Sequence, residues 1–213
     1  MFGNSYYVGT CGITATLITG DKGHILIDGA TEAGADVIIE NIKNLGFSLD
    51  DVKLLLHSHE PFDHVAGLAK LQRVSGAKLL ASTEAAPVLS TGITADTDPQ
   101  AGMHNPFPAA KVDKIIKDGQ VVSLGNLALT PISTPGHTAG ALCWQWQSCE
   151  NKRCLSIVYA DSAQISLNIP EAEIEARLAK WQAPAPRYTR GVLAKFAKTV
   201  SSASERAVTD KGL

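Results

Sequence analysis

The chain has 213 residues, of which 45% are hydrophobic and 19% charged, with a formal net charge of −2 and an isoelectric point near 6.3. That length buries one full core and is short for two domains, so a single α/β domain is expected, and the near-neutral charge argues against nucleic acid as a partner. No run approaches the roughly 18 consecutive apolar residues of a membrane span, which argues against a membrane partner. The start MFGNSYYVGT has neither a basic n-region nor an apolar h-region, and it enters a strand almost at once, as a shortened form would.

In chain order, YYVG, TATLIT and HILIDG read as short strands, the last two separated by the turn GDKG. From about Thr31 to Asn44, Ile38, Ile42 and Leu45 fall at helical spacing, and Gly46 is a natural stop. DVKLLLH is a near-continuous apolar run of strand length. A motif loop follows it, then a helical stretch with Val65, Leu68 and Leu71 that ends near Gly76. A third unit has the strand KLLA, a capping signal at Ser82 or Thr83 with Glu84 close behind, and a short helix closed by Gly92.

Residues 93–111 are rich in Pro, Asp and Gly and longer than an ordinary connection, as a rim loop beside a site would be. Short strands are then expected at VDKII, VVSL, LALTPI, ALCWQWQ and LSIVYA. From Ser162 the pattern becomes an amphipathic helix with Ile174, Leu178 and Trp181, a Pro-rich link APAPRY, and a last helical segment with Val192, Phe196 and Val200. Cys149 and Cys154 flank the polar turn ENKR, where they either close a small hairpin disulfide, favouring an oxidising compartment, or remain two thiols. Cys143 sits in an apolar alternation and reads as core, and Cys11 has no evident partner.

The chemistry-bearing signal is HSHEPFDH at 57–64, which puts three of the six histidines and an aspartate in one loop directly after an apolar strand. Imidazole and carboxylate are the nitrogen and oxygen ligands zinc accepts, and a loop at a strand end can wrap several around one ion. A second piece, STPGHTAG, holds His137 in a turn of small residues. A third, YADS, ends another apolar strand at Asp161 and Ser162, so three strand ends can converge on one rim.

HSHEPFDHVAGL after LLL, the TPGHTAG turn, YADS and the opening YYVGTCGITATLITGDKGHILIDGAT together resemble a metallo-β-lactamase, most closely the third subclass of class B, over roughly residues 4–165. The resemblance implies an αββα four-layer sandwich with a binuclear zinc site at one edge. It also implies a β-lactam as the small-molecule substrate and a periplasmic or secreted location. By the same resemblance His59 and His137 belong to the first zinc site, Asp63 and His64 to the second, and Ser162 helps hold the substrate carboxylate, with Gln164 close by altering the finer contacts.

Two departures stand out. In the family motif H-x-H-x-D-H the middle histidine is replaced by Pro61, which cannot bind zinc, and no histidine follows His137 to supply the late ligand of the second site. His57, two residues upstream, is expected to pack under the strand rather than replace the lost ligand. Glu171 and Glu173 read as solvated helix positions rather than stand-ins. The tail from about residue 165 does not resemble the family. The expected function is therefore zinc-dependent β-lactam hydrolysis, with Asp63 orienting a metal-bound hydroxide and with turnover reduced by the short ligand set. Another metallo-hydrolase of the superfamily, a lactonase or thioesterase, and a fold retained without catalysis are the alternatives.

Overall fold

In the computed structural model, residues 1–160 apart from 97 and 99 are described. They form two sheets. The first runs in the order β1 (Ser5–Tyr7), β2 (Thr16–Gly20), β3 (Gly23–Ile27), β4 (Val52–Leu56), β5 (Lys78–Ala81), β6 (Val112–Ile115). Its first three strands are antiparallel, and β3 to β6 are parallel to one another. The second sheet is an antiparallel meander of β7 (Val122–Leu124), β8 (Leu127–Ser133), β9 (Leu142–Glu150) and β10 (Arg153–Tyr159).

Alternation along the strands assigns the faces. In β3, Ile25 and Ile27 point into a core shared with Leu127, Leu129, Trp144 and Trp146 of the second sheet. Leu26, between them, points the other way, into a second core with helical residues. Among the described residues, four α-helices contribute to that second core and none to the first: α1 (Glu32–Asn44), α2 (Phe62–Val65), α3 (Leu68–Ser75) and α4 (Ala85–Thr91). The described residues therefore stack as helices, sheet, sheet, the α-β-β part of the expected sandwich.

Before residue 160 most expected elements form where the pattern placed them, although the stretch expected as one helix through Val65, Leu68 and Leu71 divides into α2 and α3. Thr31 caps α1 by accepting the Gly34 N–H, and the α1 residues Ile38 and Ile42 are buried. Gly76 and Gly92 close α3 and α4 in the left-handed conformation that glycine adopts without strain. Gly67 is required for another reason: a Cβ there would meet the Gly29 carbonyl oxygen at 2.1 Å, so only glycine lets α3 start against the end of β3. At the far end of the second sheet, Cys149 and Cys154 are directly paired across the β9–β10 hairpin and form a disulfide, which settles the alternative left open by the sequence. The amphipathic helix, the APAPRY link and the last helical segment expected beyond residue 161 lie outside the described residues.

Candidate metal-type site at the sheet ends

β4 ends at Leu56 and leads into the loop 57–61, where the side chains of His57, Ser58, His59 and Glu60 are held by buried hydrogen bonds. Asp28, at the end of β3, organises them. It is fully buried and left-handed at φ 66. Its Oδ1 accepts the Ser58 N–H at 2.6 Å, and its Oδ2 accepts the hydroxyls of Ser58 at 2.6 Å and Tyr159 at 2.8 Å. The same Oδ2 lies 3.1 Å from Nδ1 of His64.

These bonds set the histidine tautomers. The Ser58 proton goes to Asp28, so His59 Nδ1–H, 3.0 Å away, donates to Ser58 Oγ. His64 Nδ1–H likewise donates to Asp28. In both rings Nε2 is then the acceptor nitrogen, the form a metal ligand needs. The rings of His59 and His64 are 4.1 Å apart, His137 stands 5.4 Å from His59, and Asp63 Oδ2 is 3.8 Å from His64 Nε2.

His137 lies in the turn between β8 and β9, so the second sheet delivers it to the loop from the first. Its Nε2 accepts from the Gln100 side-chain amide at 2.8 Å. Burial first, and then the neighbouring His59, hold its pKa below the ordinary histidine value, which keeps this acceptor form at neutral pH. Glu60 is also buried, with Oε1 accepting the Gly140 N–H at 2.6 Å and Oε2 accepting the Thr138 hydroxyl. Burial raises its pKa against the lowering effect of those two donors.

His57 packs beneath the loop, as expected. It is fully buried, its Nε2 accepts the Ser82 N–H at 3.0 Å, and burial lowers its pKa to about 4. His104, in the rim loop, lies against the Phe62 ring at 4.4 Å, and His24 packs on Phe47 at 5.2 Å. Pro61 stands directly before α2 with no donor to offer. Asp161, Ser162, Gln164, Glu171 and Glu173 lie outside the described residues.

The structure thus brings His59, Asp63, His64 and His137 to one place. Sequence reasoning missed Asp28, Glu60 and Gln100. Asp28 was signalled only by a carboxylate at the end of the strand HILID, and Gln100 only by its position in the long rim loop.

In kind, the donors fit zinc: imidazoles in the required tautomer and one half-exposed carboxylate. As they stand, no three His, Cys, Asp or Glu side chains among the described residues form a ready-made coordination group. Among the described residues a closed centre is not preassembled.

Comparison with known proteins agrees with this fold. The model of the metallo-β-lactamase superfamily matches residues 8–149, and the chain belongs to that superfamily. Within it, the likeness is to subclass B3 enzymes. MIM-2 metallo-β-lactamase is 50% identical with a TM-score of 0.76, over 85% of this chain and 67% of that one. MEM-A1, a subclass B3 metallo-β-lactamase from a soil metagenome library, is 43% identical at a TM-score of 0.78, over 86% and 74%. BJP-1 of Bradyrhizobium japonicum is 32% identical at 0.75, over 85% and 70%.

A separate, short likeness is to dihydroxy-acid dehydratases. The Nitrosomonas europaea enzyme is 70% identical over 46 residues, which is 22% of this chain and 8% of that protein. The chain thus spans less than a tenth of that relative's length.

Proposed function

We propose that this protein is a β-lactam hydrolase of subclass B3 type that works with a reduced metal-ligand set. The observation behind this reading is the convergence of His59, Asp63, His64 and His137 from two sheets, in a chain 50% identical to a metallo-β-lactamase. The donors favour one zinc ion shared among these four residues. A bound zinc supplies a water whose pKa falls to about 7 and a positive charge opposite the developing oxyanion.

The chain's own residues do the rest. Asp28 and Ser58 fix the His64 and His59 rings in the tautomer that presents Nε2. Asp63, 36% exposed at its side chain, is the carboxylate assigned to orient the attacking oxygen toward the lactam carbonyl. Ser162 is assigned to the substrate carboxylate. The Cys149–Cys154 disulfide supports an oxidising compartment, periplasmic or secreted.

A second reading is a retained fold without turnover, favoured by Pro61, which offers no ligand where the motif has an imidazole. Hydrolysis of a chromogenic cephalosporin that a chelator abolishes supports the first reading and excludes the second. A lactone and thioester panel separates other hydrolases of the superfamily.

We further infer that the tail shares ancestry with dihydroxy-acid dehydratases, which explains why no histidine follows His137. A match covering 8% of a dehydratase brings no dehydratase activity with it.

A further inference from the structure

We propose that Glu60 is a positioning residue, a buried tether that sets the spacing between His59 and His137; the proposal rests on reading these two as ligands of one site. Glu60 follows His59 directly. Its two oxygens take the Thr138 hydroxyl and the Gly140 N–H, one and three residues past His137. One carboxylate therefore joins the loop from the first sheet to the turn of the second, beside each histidine.

The surroundings are built for this contact. A Cβ on Gly140 would stand 2.5 Å from Glu60 Oε1 and 2.6 Å from the Ala85 nitrogen, so only glycine admits the carboxylate. A backbone bond runs alongside, from Leu142 N–H to Ser58 O at 2.6 Å. Ser82 closes the other side by donating its hydroxyl to the Gly140 carbonyl at 2.9 Å.

Stability alone does not call for a carboxylate here. A buried carboxylate is costly even when hydrogen-bonded, and an apolar side chain of similar volume is often as stable. A two-oxygen acceptor does give direction: it fixes where both donors lie, and with them the 5.4 Å separation of the His59 and His137 rings. Glutamine at this position keeps the volume but turns an NH2 toward one of the two donors, so one half of the tether is lost.

The test uses the full chain with Glu60→Gln, Thr138→Val, the double variant, and Ser5→Ala as a control that loses a buried hydrogen bond elsewhere. Zinc affinity is measured by chelator competition, and ring separation by crystallography. Glu60→Gln and Thr138→Val should each weaken zinc binding by about 10-fold, and the double variant by little more than the worse single, since both cut one tether. Ser5→Ala should lower the melting temperature and leave zinc affinity unchanged.

In Glu60→Gln the His59–His137 separation should widen beyond 5.4 Å. An unchanged separation overturns the proposal whatever the zinc affinity does, and so does a widened pair with undiminished zinc affinity. If the wild type binds no zinc, the functional reading fails, and the ring separation alone decides the role of Glu60. Should Glu60→Gln not fold, Thr138→Val is read in the same way, since it keeps the Gly140 bond.

Discussion

The side-chain amide of Gln100 lies 2.8 Å from Nε2 of His137 and occupies the acceptor nitrogen that a metal would need. Gln100 comes from the rim loop, where its own N–H is held by Asp98 Oδ1 at 2.7 Å, so the contact is anchored at its base. Metal and amide compete for one lone pair. Gln100→Ala is expected to raise zinc affinity several-fold in a chelator competition, by about the 1 kcal/mol a hydrogen bond contributes. A fall in affinity would mean that Gln100 is itself a ligand.

Pro61→His restores the middle imidazole of the motif. Pro61 has φ −57 and ψ 147, which histidine adopts without strain, and its carbonyl still accepts from His64 and Val65. The variant should bind zinc at least about 10-fold more tightly than the wild type, because one ligand is added to an existing set. Unchanged affinity would sink the alignment of residues 59–64 with the family motif.

His57 has a structural task. Its Nε2 holds the Ser82 N–H, and its carbonyl accepts from Trp144 Nε1 at 2.9 Å. His57→Ala should cost roughly 2–4 kcal/mol of stability by leaving the Ser82 donor unpaired beside a small cavity, while zinc affinity of the folded protein stays the same. Loss of zinc binding in the folded variant would make His57 a ligand after all.

How much of this was legible in the sequence follows from where each signal resides. The short apolar run of HILID between glycines and the helical spacing of Ile38 and Ile42 are local, so β3 and α1 could be read directly. The HSHEPFDH cluster is contiguous, so residue types that can bind metal stand out there, while the resemblance alone implies which of them belong to which site. Glu60 and Gln100 could not be assigned, because their meaning depends on Thr138, Gly140 and His137, distant in the chain. The packing of His57 was expected from its place at the end of the strand, but its partner Ser82, which the parallel β4–β5 pairing brings alongside, could not be read from the sequence.

Asp113 gives the fold an acid-sensitive point away from the site. Partial burial opposes its ionisation, but hydrogen bonding to Lys111 and the Leu79 N–H, with the charges of Lys111 and Lys78, outweighs this and lowers its pKa below the ordinary 3.8. A depressed folded pKa stabilises the protein above pH 3.8, and that contribution is lost as pH falls through the folded value. Asp113→Asn should therefore lower the melting temperature at neutral pH and narrow its gap from the wild type in acid. A gap that stays constant down to pH 2.5, about one unit below the ordinary carboxylate value, would contradict this.

The central claim is a working hydrolase on a reduced ligand set. Elemental analysis for zinc, with turnover of a chromogenic cephalosporin followed in the same sample before and after chelation, tests it most directly. The account predicts close to one zinc per chain and slow turnover that the chelator abolishes and added zinc restores. No bound zinc and no turnover would contradict it, leaving a metallo-β-lactamase fold around a site that no longer works.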